Sequence, residues 1–190
     1  MPVEIIDVET LHCGWSRLLK LKIRQPNGPT IERELEDHGA AVAVLPYDPE
    51  RRTAILVRQL RAPVFYIAGE DSVLEAIAGL LEEDDPAECA RREATEEAGL
   101  RLEQLERVTT AWTMPGISTE RMHLYFAVYR SEGRWGVAIE YRGGEGELTT
   151  VVEVPLVDLA HQADAGELTD LKTLFLVQTL RLRQPTLFSS

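Results

Sequence analysis

The residues best suited to chemistry are three glutamates near the middle of the chain, Glu93, Glu96 and Glu97. In a helix, Glu93 and Glu97 lie one turn apart on the same side, because side chains four residues apart are neighbours. They stand beside a stripe of small residues suited to packing on a sheet, where two carboxylates repel each other unless a cation joins them. The pattern therefore indicates a site for a hard divalent cation such as magnesium, which takes oxygen ligands.

The alternative interpretation is that this acidic segment is only a solvated helix face. A helix that solvates itself would place its glutamates opposite its small residues. Here the glutamates stand next to the small-residue stripe and close to Arg91 and Arg92, so the geometry favours the cation site. The stripe consists of Ala87, Ala90, Ala94 and Ala98.

End signals define the helix that must position these glutamates. Asp85 suits the N-cap, Pro86 suits the first helical position and Gly99 suits the C-terminal stop. We therefore predict a helix over residues 86–98.

Apolar and alternating runs predict the strands around that helix. Residues 18–23 and 31–35, separated by QPNGP, predict a strand, a turn and a second strand outside the main core. Residues 40–47 and 53–60 predict two paired strands, at least one of them central. Further strands are predicted in LEQLERVTTAWTM, MHLYFAVYR and TTVVEVPL, and one or two closing helices in VPLVDLAHQADAGELTDLKTLFLVQTLRL. The 190 residues contain no linker rich in Pro, Gly or Ser, which favours one domain of mixed α and β structure.

Composition limits the partners and the compartment. The chain has 32 acidic and 20 basic residues and a formal net charge of -12, which would repel nucleic acids and anionic membranes. Cys13 and Cys89 are too few and too far apart for a disulfide scaffold, and Cys89 is expected to pack as a small helix residue. The four histidines lack zinc-ligand spacing and are expected to be structural. Without a signal-peptide pattern or an apolar run of ~18 residues, the cytoplasm is the expected compartment.

The segment GLLEEDDPAECARREATEEAGL resembles the Nudix box, whose consensus is G-x5-E-x7-R-E-U-x-E-E-x-G-U. Asp85 replaces the early glutamate, and the segment between Gly79 and Arg92 is one residue shorter than the consensus. Both departures fall before the helix, so the metal-binding end is intact. The matching positions are Gly79, Arg92, Glu93, Ala94, Glu96, Glu97, Gly99 and Leu100.

The resemblance extends to the ADP-ribose and GDP-mannose pyrophosphatase branch of the Nudix hydrolases. DHGAAVAVLPYDPERRTAILVRQLRAP, MPGISTER and GGEGELTTVVEVPL look like segments of that branch. Four features look closer to bacterial GDP-mannose hydrolases: the shortened box, the position of Cys89, MHLYFAVY and the tail GELTDLKTLFLVQTL.

This resemblance implies an α/β (α+β) fold, an α/β/α Nudix sandwich with a mixed central sheet and antiparallel N-terminal strands. It divides the chain into residues 1–38, which assist homodimerisation, and residues 39–190, the hydrolase domain. The implied activity is Mg²⁺-dependent hydrolysis of the pyrophosphate bond of a nucleotide sugar of the GDP-mannose type, with Mn²⁺ as a substitute. Two alternatives stay open: an ADP-ribose pyrophosphatase, and a Nudix module that senses a nucleotide without cleaving it. The second is weakened because none of Glu93, Glu96 and Glu97 is lost.

The resemblance also implies roles for groups that carry oxygen. The implied magnesium ligands are Glu93, Glu97, Glu147 and the backbone carbonyl of Ala78. The implied catalytic groups are Glu145, as the base, and Glu96, which assists. For Glu145 and Glu147 the alternative is an acidic surface loop.

Two residues of the box are expected to support the site. We expect Arg92 to pair with a box carboxylate and orient it rather than contact substrate. We expect Gly79 to permit an unusual backbone conformation or a close approach; its alternative is an ordinary turn residue.

Four residues are candidates for substrate contact: Arg58, Arg61, Glu120 and Trp15. A guanidinium offers phosphate a planar fork of donors, and Arg61 matches the family position better than Arg58. Alternation would place the two arginines on opposite faces of an extended strand, so at least one is only a surface charge. Glu120 would hold sugar hydroxyls or be solvated. Trp15 would stack on a base, or pack in the core or a dimer interface.

Overall fold

A computed structural model of the protein describes residues 2–82, 84–130, 139–142 and 148–189. The chain forms two compact units. The first consists of Met1–Ala41 and Thr110–Met122, and the second consists of Val42–Thr109 and His123–Ser190. A segment from the middle of the chain therefore joins the N-terminal residues in one unit.

The first unit is built on a three-stranded antiparallel sheet. Its strands β1 (Glu4–Cys13), β2 (Arg17–Arg24) and β3 (Thr30–Asp37) lie in that order. β2 and β3 confirm the predicted strand, turn and strand, and their turn holds Asn27 in the left-handed region with φ 57°. The sequence pattern does not predict β1, because its residues are exposed on both faces and carry no regular hydrophobic alternation.

The segment Thr110–Met122 attaches to the end of β3. The Glu36 N–H donates to the Ile117 carbonyl at 2.7 Å, and the Thr119 N–H donates to the Glu36 carbonyl at 3.0 Å. Thr119 Oγ1 also donates to Asp37 Oδ1 at 2.6 Å. These bonds hold the MPGISTER segment against the last residues of β3.

The central sheet confirms the remaining predicted strands. It contains β4 (Ala41–Asp48), β5 (Thr53–Gln59), β6 (Val73–Glu75), β7 (Ile77–Leu80), β8 (Leu105–Trp112), β9 (Arg121–Val128), β10 (Ile139–Arg142) and β11 (Leu148–Pro155). The order is β10-β11-β5-β4-β9-β8, with β6 paired to β5 and β7 paired to β4. β4 and β5 are the predicted pair and run antiparallel, and β4 is buried along its whole length, as expected of a central strand.

Within the described residues, the helices are α1 (Ala62–Ala68), α2 (Pro86–Ala98), α3 (Leu156–Ala165), α4 (Leu171–Arg183) and a short 3-10 helix, Pro185–Phe188. α2 confirms the helix predicted from its ends: Asp85 Oδ1 accepts the Ala87 N–H at 2.8 Å, and Gly99 ends the helix with φ 65°. α3 and α4 confirm the closing helices. α1 is not predicted, because it buries no residue and so has no amphipathic stripe. Across the part of the chain that the structure describes, no helix has the length and apolar character needed to cross a membrane.

α2 packs its small-residue stripe on one face of the central sheet. One buried cluster joins Ala90 and Ala94 to Ile55 and Val57 of β5. Because side chains alternate along a strand, Leu56 faces the other side. α3 and α4 contact β11 and β6 and bury a separate set of side chains, Leu156, Leu159, Leu176 and Leu180. These layers confirm the α/β/α sandwich with a mixed central sheet.

The two cysteines lie in contrasting environments. Both are reduced thiols; Cys13 is exposed, and Cys89 in α2 is buried. The Cys89 thiol donates to the Leu80 carbonyl at 3.2 Å. Cys89 therefore packs as a small helix residue, as expected.

Candidate active site

Gly79 in β7 lies against the carboxylate of Glu93 in α2. A Cβ atom at Gly79 would stand 2.0 Å from Glu93 Oε1, which is far inside van der Waals contact. Gly79 belongs to a strand rather than a turn, and it is not among the glycines with positive φ. The close approach is therefore the correct interpretation, and the ordinary turn and the unusual backbone conformation are wrong.

Glu97 lies one turn further along α2, beside the same strand. The Ala78 N–H donates to Glu97 Oε2 at 3.4 Å. Burial, and next the charge of Glu93, raise the pKa of Glu97 to about 7. A carboxylate held in this way is destabilised as an anion, so a cation close to both glutamates would be strongly favoured.

Arg92 contacts two carboxylates of its own helix. Its Nη2 lies 2.9 Å from Glu93 Oε1, and its Nη1 lies 2.8 Å from Glu96 Oε2. Glu93 has a nearly buried side chain, whereas that of Glu96 is 57% exposed. These are the contacts that the expected orienting role of Arg92 requires, while the role itself stays a prediction.

The donor set around Gly79 suits a hard cation in chemistry but is incomplete by itself. Glu93 and Glu97 offer carboxylate oxygens, and the absence of a side chain at Gly79 leaves the space in which the Glu93 carboxylate lies. Among the described residues, no three His, Cys, Asp or Glu side chains are grouped so that they could hold a metal ion. Further oxygens would have to come from backbone carbonyls, water, substrate or other carboxylates. Glu145 and Glu147, the loop candidates, lie outside the described residues.

Arg61 forms a two-point ion pair with a buried glutamate that the sequence does not single out. Its Nε donates to Glu75 Oε1 at 2.7 Å and its Nη2 donates to Glu75 Oε2 at 2.9 Å. Lys172 of α4 contacts the same carboxylate. Burial alone would raise the pKa of Glu75, but Arg61 and Lys172 hold it below its ordinary value. The structure thus places the Arg61 guanidinium on the buried carboxylate of Glu75, in the second unit.

Arg58 lies elsewhere on the sheet. β5 ends at Gln59, so Arg61 belongs to the start of α1 and the expectation of one extended strand through both arginines is wrong. Val57 packs toward α2, so its neighbour Arg58 faces the opposite side of the sheet. There it lines a polar groove with residues that include Glu70, Ser72, Gln162 and Glu167. The structure thus does not bring Arg58 to Glu93 and Glu97.

Glu120 belongs to a hydrogen-bonded group in the first unit. Glu120 Oε2 lies 2.9 Å from His38 Nε2, and Glu36 Oε1 lies 2.7 Å from His38 Nδ1. Ser118 Oγ donates to Glu36 Oε2 at 2.9 Å. The side chain of Glu120 is only 15% exposed, so the alternative of a solvated glutamate is wrong.

Trp15 stacks on the histidine of that group. The ring centroids of Trp15 and His38 are 5.1 Å apart with an angle of 24° between the ring planes. Trp15 is 76% exposed in the chain, which excludes the core-packing alternative. Its indole therefore offers a surface on which a base or a partner protein could stack.

Sequence reasoning missed His38 and Glu75, for different reasons. Glu36 and His38 are two residues apart at the end of a strand, a spacing that places side chains on one face and could have suggested a pair. Glu75 carries no such signal, because its partners Arg61 and Lys172 come from distant parts of the sequence.

Known proteins resemble this chain over most of its length. The family model for the NUDIX domain matches residues 37–174. A GDP-mannose pyrophosphatase of Cronobacter sakazakii is 39% identical over 153 residues, covering 80% of this chain and 78% of that protein. Proteins of the same name from Pectobacterium atrosepticum and Yersinia enterocolitica are 34% and 33% identical, and cover 96% and 93% of this chain and 95% and 93% of their own lengths.

A solved structure is similar in fold. A crystal structure described as an ADP compounds hydrolase superimposes with a TM-score of 0.71 at 22% identity, covering 97% of this chain and 96% of that one. The matched family region contains the whole box from Gly79 to Leu100, including the glutamates of α2. The chain therefore belongs to the Nudix family of hydrolases.

Proposed function

We propose that this Nudix hydrolase cleaves the pyrophosphate bond of a nucleoside diphosphate sugar of the GDP-mannose type. Water would attack one phosphorus and break its bond to the oxygen that bridges the two phosphorus atoms, giving GMP and mannose 1-phosphate from GDP-mannose. Relatives named GDP-mannose pyrophosphatase, alignable over nearly the whole chain, support this substrate class. The observation that carries the chemistry is the Glu93 carboxylate, accommodated by Gly79 one helical turn before Glu97.

Glu93 and Glu97 would hold Mg²⁺, or Mn²⁺ in its place, with the Ala78 carbonyl and Glu147 as further oxygen ligands. The bound ion supplies positive charge to the diphosphate, which the acidic protein lacks. Arg92 orients Glu93 through the contact described above. Glu145 takes a proton from the attacking water, and Glu96 assists.

Three residues are assigned to substrate contact, each by its own chemistry. Arg61 would contact the diphosphate with its guanidinium, which Glu75 holds on two points. Glu120 would accept hydrogen bonds from sugar hydroxyls, and Trp15 would stack on the base. We leave Arg58 out of this set because of its position on the opposite face of the sheet.

The assembly and location follow the same reasoning. We propose a cytoplasmic homodimer in which residues 1–38 assist association and residues 39–190 form the hydrolase domain. Light scattering of the purified protein should then give about twice 21.3 kDa. A particle of monomer mass at micromolar concentration would contradict the dimer.

The decisive experiment measures Mg²⁺-dependent release of mononucleotide from a panel of substrates. The panel contains GDP-mannose, ADP-ribose, other nucleotide sugars, diadenosine polyphosphates and nucleoside triphosphates, compared by kcat/KM. A preference for GDP-mannose supports the proposal, and a preference for ADP-ribose replaces the substrate. Turnover of none of them with magnesium or manganese would refute the proposed reaction and favour a nucleotide-sensing module.

A further inference from the structure

Glu75 is a charged side chain in an almost fully buried place. It ends β6, its residue is 2% exposed, and its neighbours Leu74 and Ala76 are buried too. A carboxylate removed from water to this degree is strongly destabilised unless cations and donors surround it. Arg61 meets both of its oxygens with parallel N–H groups, the geometry in which a guanidinium binds a carboxylate most firmly.

Lys172 connects the same carboxylate to the first turn of α4. Its Nζ contacts Glu75 and lies 2.9 Å from Asp170 Oδ1. Asp170 caps α4 by accepting the Thr173 N–H at 3.0 Å, and Thr173 Oγ1 accepts the Ala76 N–H at 2.6 Å. α4 thus fixes the end of β6 through Ala76 and Glu75, and Glu75 in turn holds Arg61.

Strand pairing places Glu75 on the face of the sheet that carries the glutamates of α2. Glu75 is paired with Val57 of β5, and paired residues of neighbouring strands project to the same side. Val57 and Ile77 both belong to the buried cluster beneath α2. The charges of Glu75 and Arg61 also act on Glu97, so the Arg61 guanidinium lies in the electrostatic surroundings of the proposed cation site.

We propose that Glu75 is a positioning residue: it fixes the Arg61 guanidinium in the orientation that meets the substrate diphosphate, and Lys172 fixes Glu75. The identity of the ligand that Arg61 meets rests on the proposed function. An arginine side chain that is 39% exposed has many rotamers, and binding substrate with a mobile guanidinium loses conformational entropy. The two-point contact with Glu75 removes that loss before the substrate arrives.

A double-mutant cycle separates positioning from simple support of the fold. Glu75→Gln, Arg61→Ala and the combined variant are compared by kcat and KM on the panel substrate that the wild type hydrolyses best. Glu75→Gln should lower kcat/KM by about 10- to 100-fold, as expected when a binding group is misplaced. Added to Arg61→Ala, it should lower kcat/KM no further, because its effect passes through Arg61. Independent, multiplicative effects of the two substitutions would overturn the proposal.

Glu153→Gln is the matched control for loss of a buried charge. The Glu153 side chain is 4% exposed and pairs with Arg51 at 2.6 Å, at the opposite end of β5. It should lower the melting temperature like Glu75→Gln but leave kcat/KM within about twofold of wild type, since distant sites act independently. An equal loss of kcat/KM in both variants would mean that Glu75 supports only the fold.

Two further variants keep the test usable if Glu75→Gln folds poorly. Lys172→Met leaves both oxygens of Glu75 with Arg61 but removes the anchor from α4, and Lys172→Arg restores a cation. Lys172→Met should raise KM, and Lys172→Arg should recover most of the wild-type KM. The proposal fails if Lys172→Met has wild-type KM.

The order of the Arg61 side chain can be measured without turnover. In ¹⁵N-arginine NMR spectra, the Arg61 Nε–H should be more mobile in Glu75→Gln than in the wild type. A wild-type protein that hydrolyses no nucleotide sugar would refute the proposed function alone, since the NMR comparison still decides whether Glu75 positions Arg61. An equally ordered Arg61 Nε–H in both proteins would overturn the inference.

Discussion

At position 79, the hydrogen atom that replaces a side chain leaves the space in which the Glu93 carboxylate lies. The box consensus places glycine at this position. In the structure the reason is the close contact with the Glu93 carboxylate and not an unusual backbone conformation. The sequence allowed either reason, because the distance between β7 and α2 is set by tertiary packing. The relative positions of Glu93, Glu97 and Arg92 could be predicted from helical spacing alone, since all three residues lie on α2.

Gly79→Ala should displace the Glu93 carboxylate. The new Cβ would stand 2.0 Å from Glu93 Oε1, so the flexible end of the glutamate side chain must leave that space. The panel assay should then show a loss of kcat of about 10- to 100-fold, as expected when a binding group is misplaced, and chemical denaturation checks that the variant is folded. Gly116→Ala is the matched control, because a Cβ there meets nothing within 4 Å. A kcat of Gly79→Ala equal to that of Gly116→Ala would contradict the proposed contact.

Glu97→Gln should reduce kcat by at least about 100-fold, equivalent to about 2.7 kcal/mol of transition-state stabilisation. The amide removes a proposed cation ligand while keeping the shape of the side chain. In EDTA at pH 8 the variant should melt no lower than the wild type, because Gln removes a carboxylate whose pKa is raised first by burial and next by the charge of Glu93. Unchanged turnover would remove Glu97 from the mechanism.

Among the elements, those that the sequence predicts are the ones with a strong local signal. α2 has a capping aspartate, Pro86 and a glycine stop, and β4 is a continuous apolar run. α1 and β1 lack such a signal, because neither buries a regular stripe of side chains within this chain. The sequence pattern also did not predict that β5 ends at Gln59. Because of this end, Arg58 lies on the strand whereas Arg61 lies at the start of α1.

The contact between β3 and the MPGISTER segment should depend on pH through His38. Burial alone would lower the pKa of His38, but its bonds to Glu120 and Glu36 raise it above 6.5. A raised pKa means that the stabilisation is fully present below pH 6.5 and is lost as the pH rises through the folded-state pKa. The wild type should therefore exceed His38→Gln in free energy of unfolding by more at pH 6 than at pH 9.

Urea denaturation of both proteins at the two pH values measures this difference. His161→Gln, on the exposed face of α3, is the control for loss of a histidine. The same difference between wild type and His38→Gln at both pH values would show that the charge of His38 contributes nothing to the contact.

For the whole molecule, the net charge of -12 bears on stability as well as on choice of partner. Part of this negative charge is concentrated on α2 next to a buried face, where Arg92 compensates only some of it. The sequence predicted this concentration, since it needs only composition and helical spacing. The ion pairs of Glu75 and the bonds of His38 could not be predicted, because they join residues that only the completed fold brings together.

Mg²⁺ should therefore stabilise the folded protein. A ligand that binds only the folded state adds about 2.7 kcal/mol when its concentration is 100 times its Kd. Thermal melting in increasing MgCl₂ should show a rise of several degrees, and Glu97→Gln should lose most of it. KCl at matched ionic strength is the control. An equal rise in KCl would indicate general charge screening rather than a site.

Because Cys13 is exposed and Cys89 is buried, the reaction of Cys89 with a thiol reagent can report local opening around α2. In the single chain, a thiol reagent should label the exposed Cys13 faster than Cys89, which is enclosed between α2 and β7 and becomes accessible only when those elements separate. The labelling rate of the second thiol thus gives the opening frequency of the helix that carries the box glutamates. Slower labelling in the presence of MgCl₂ would connect that frequency to cation binding.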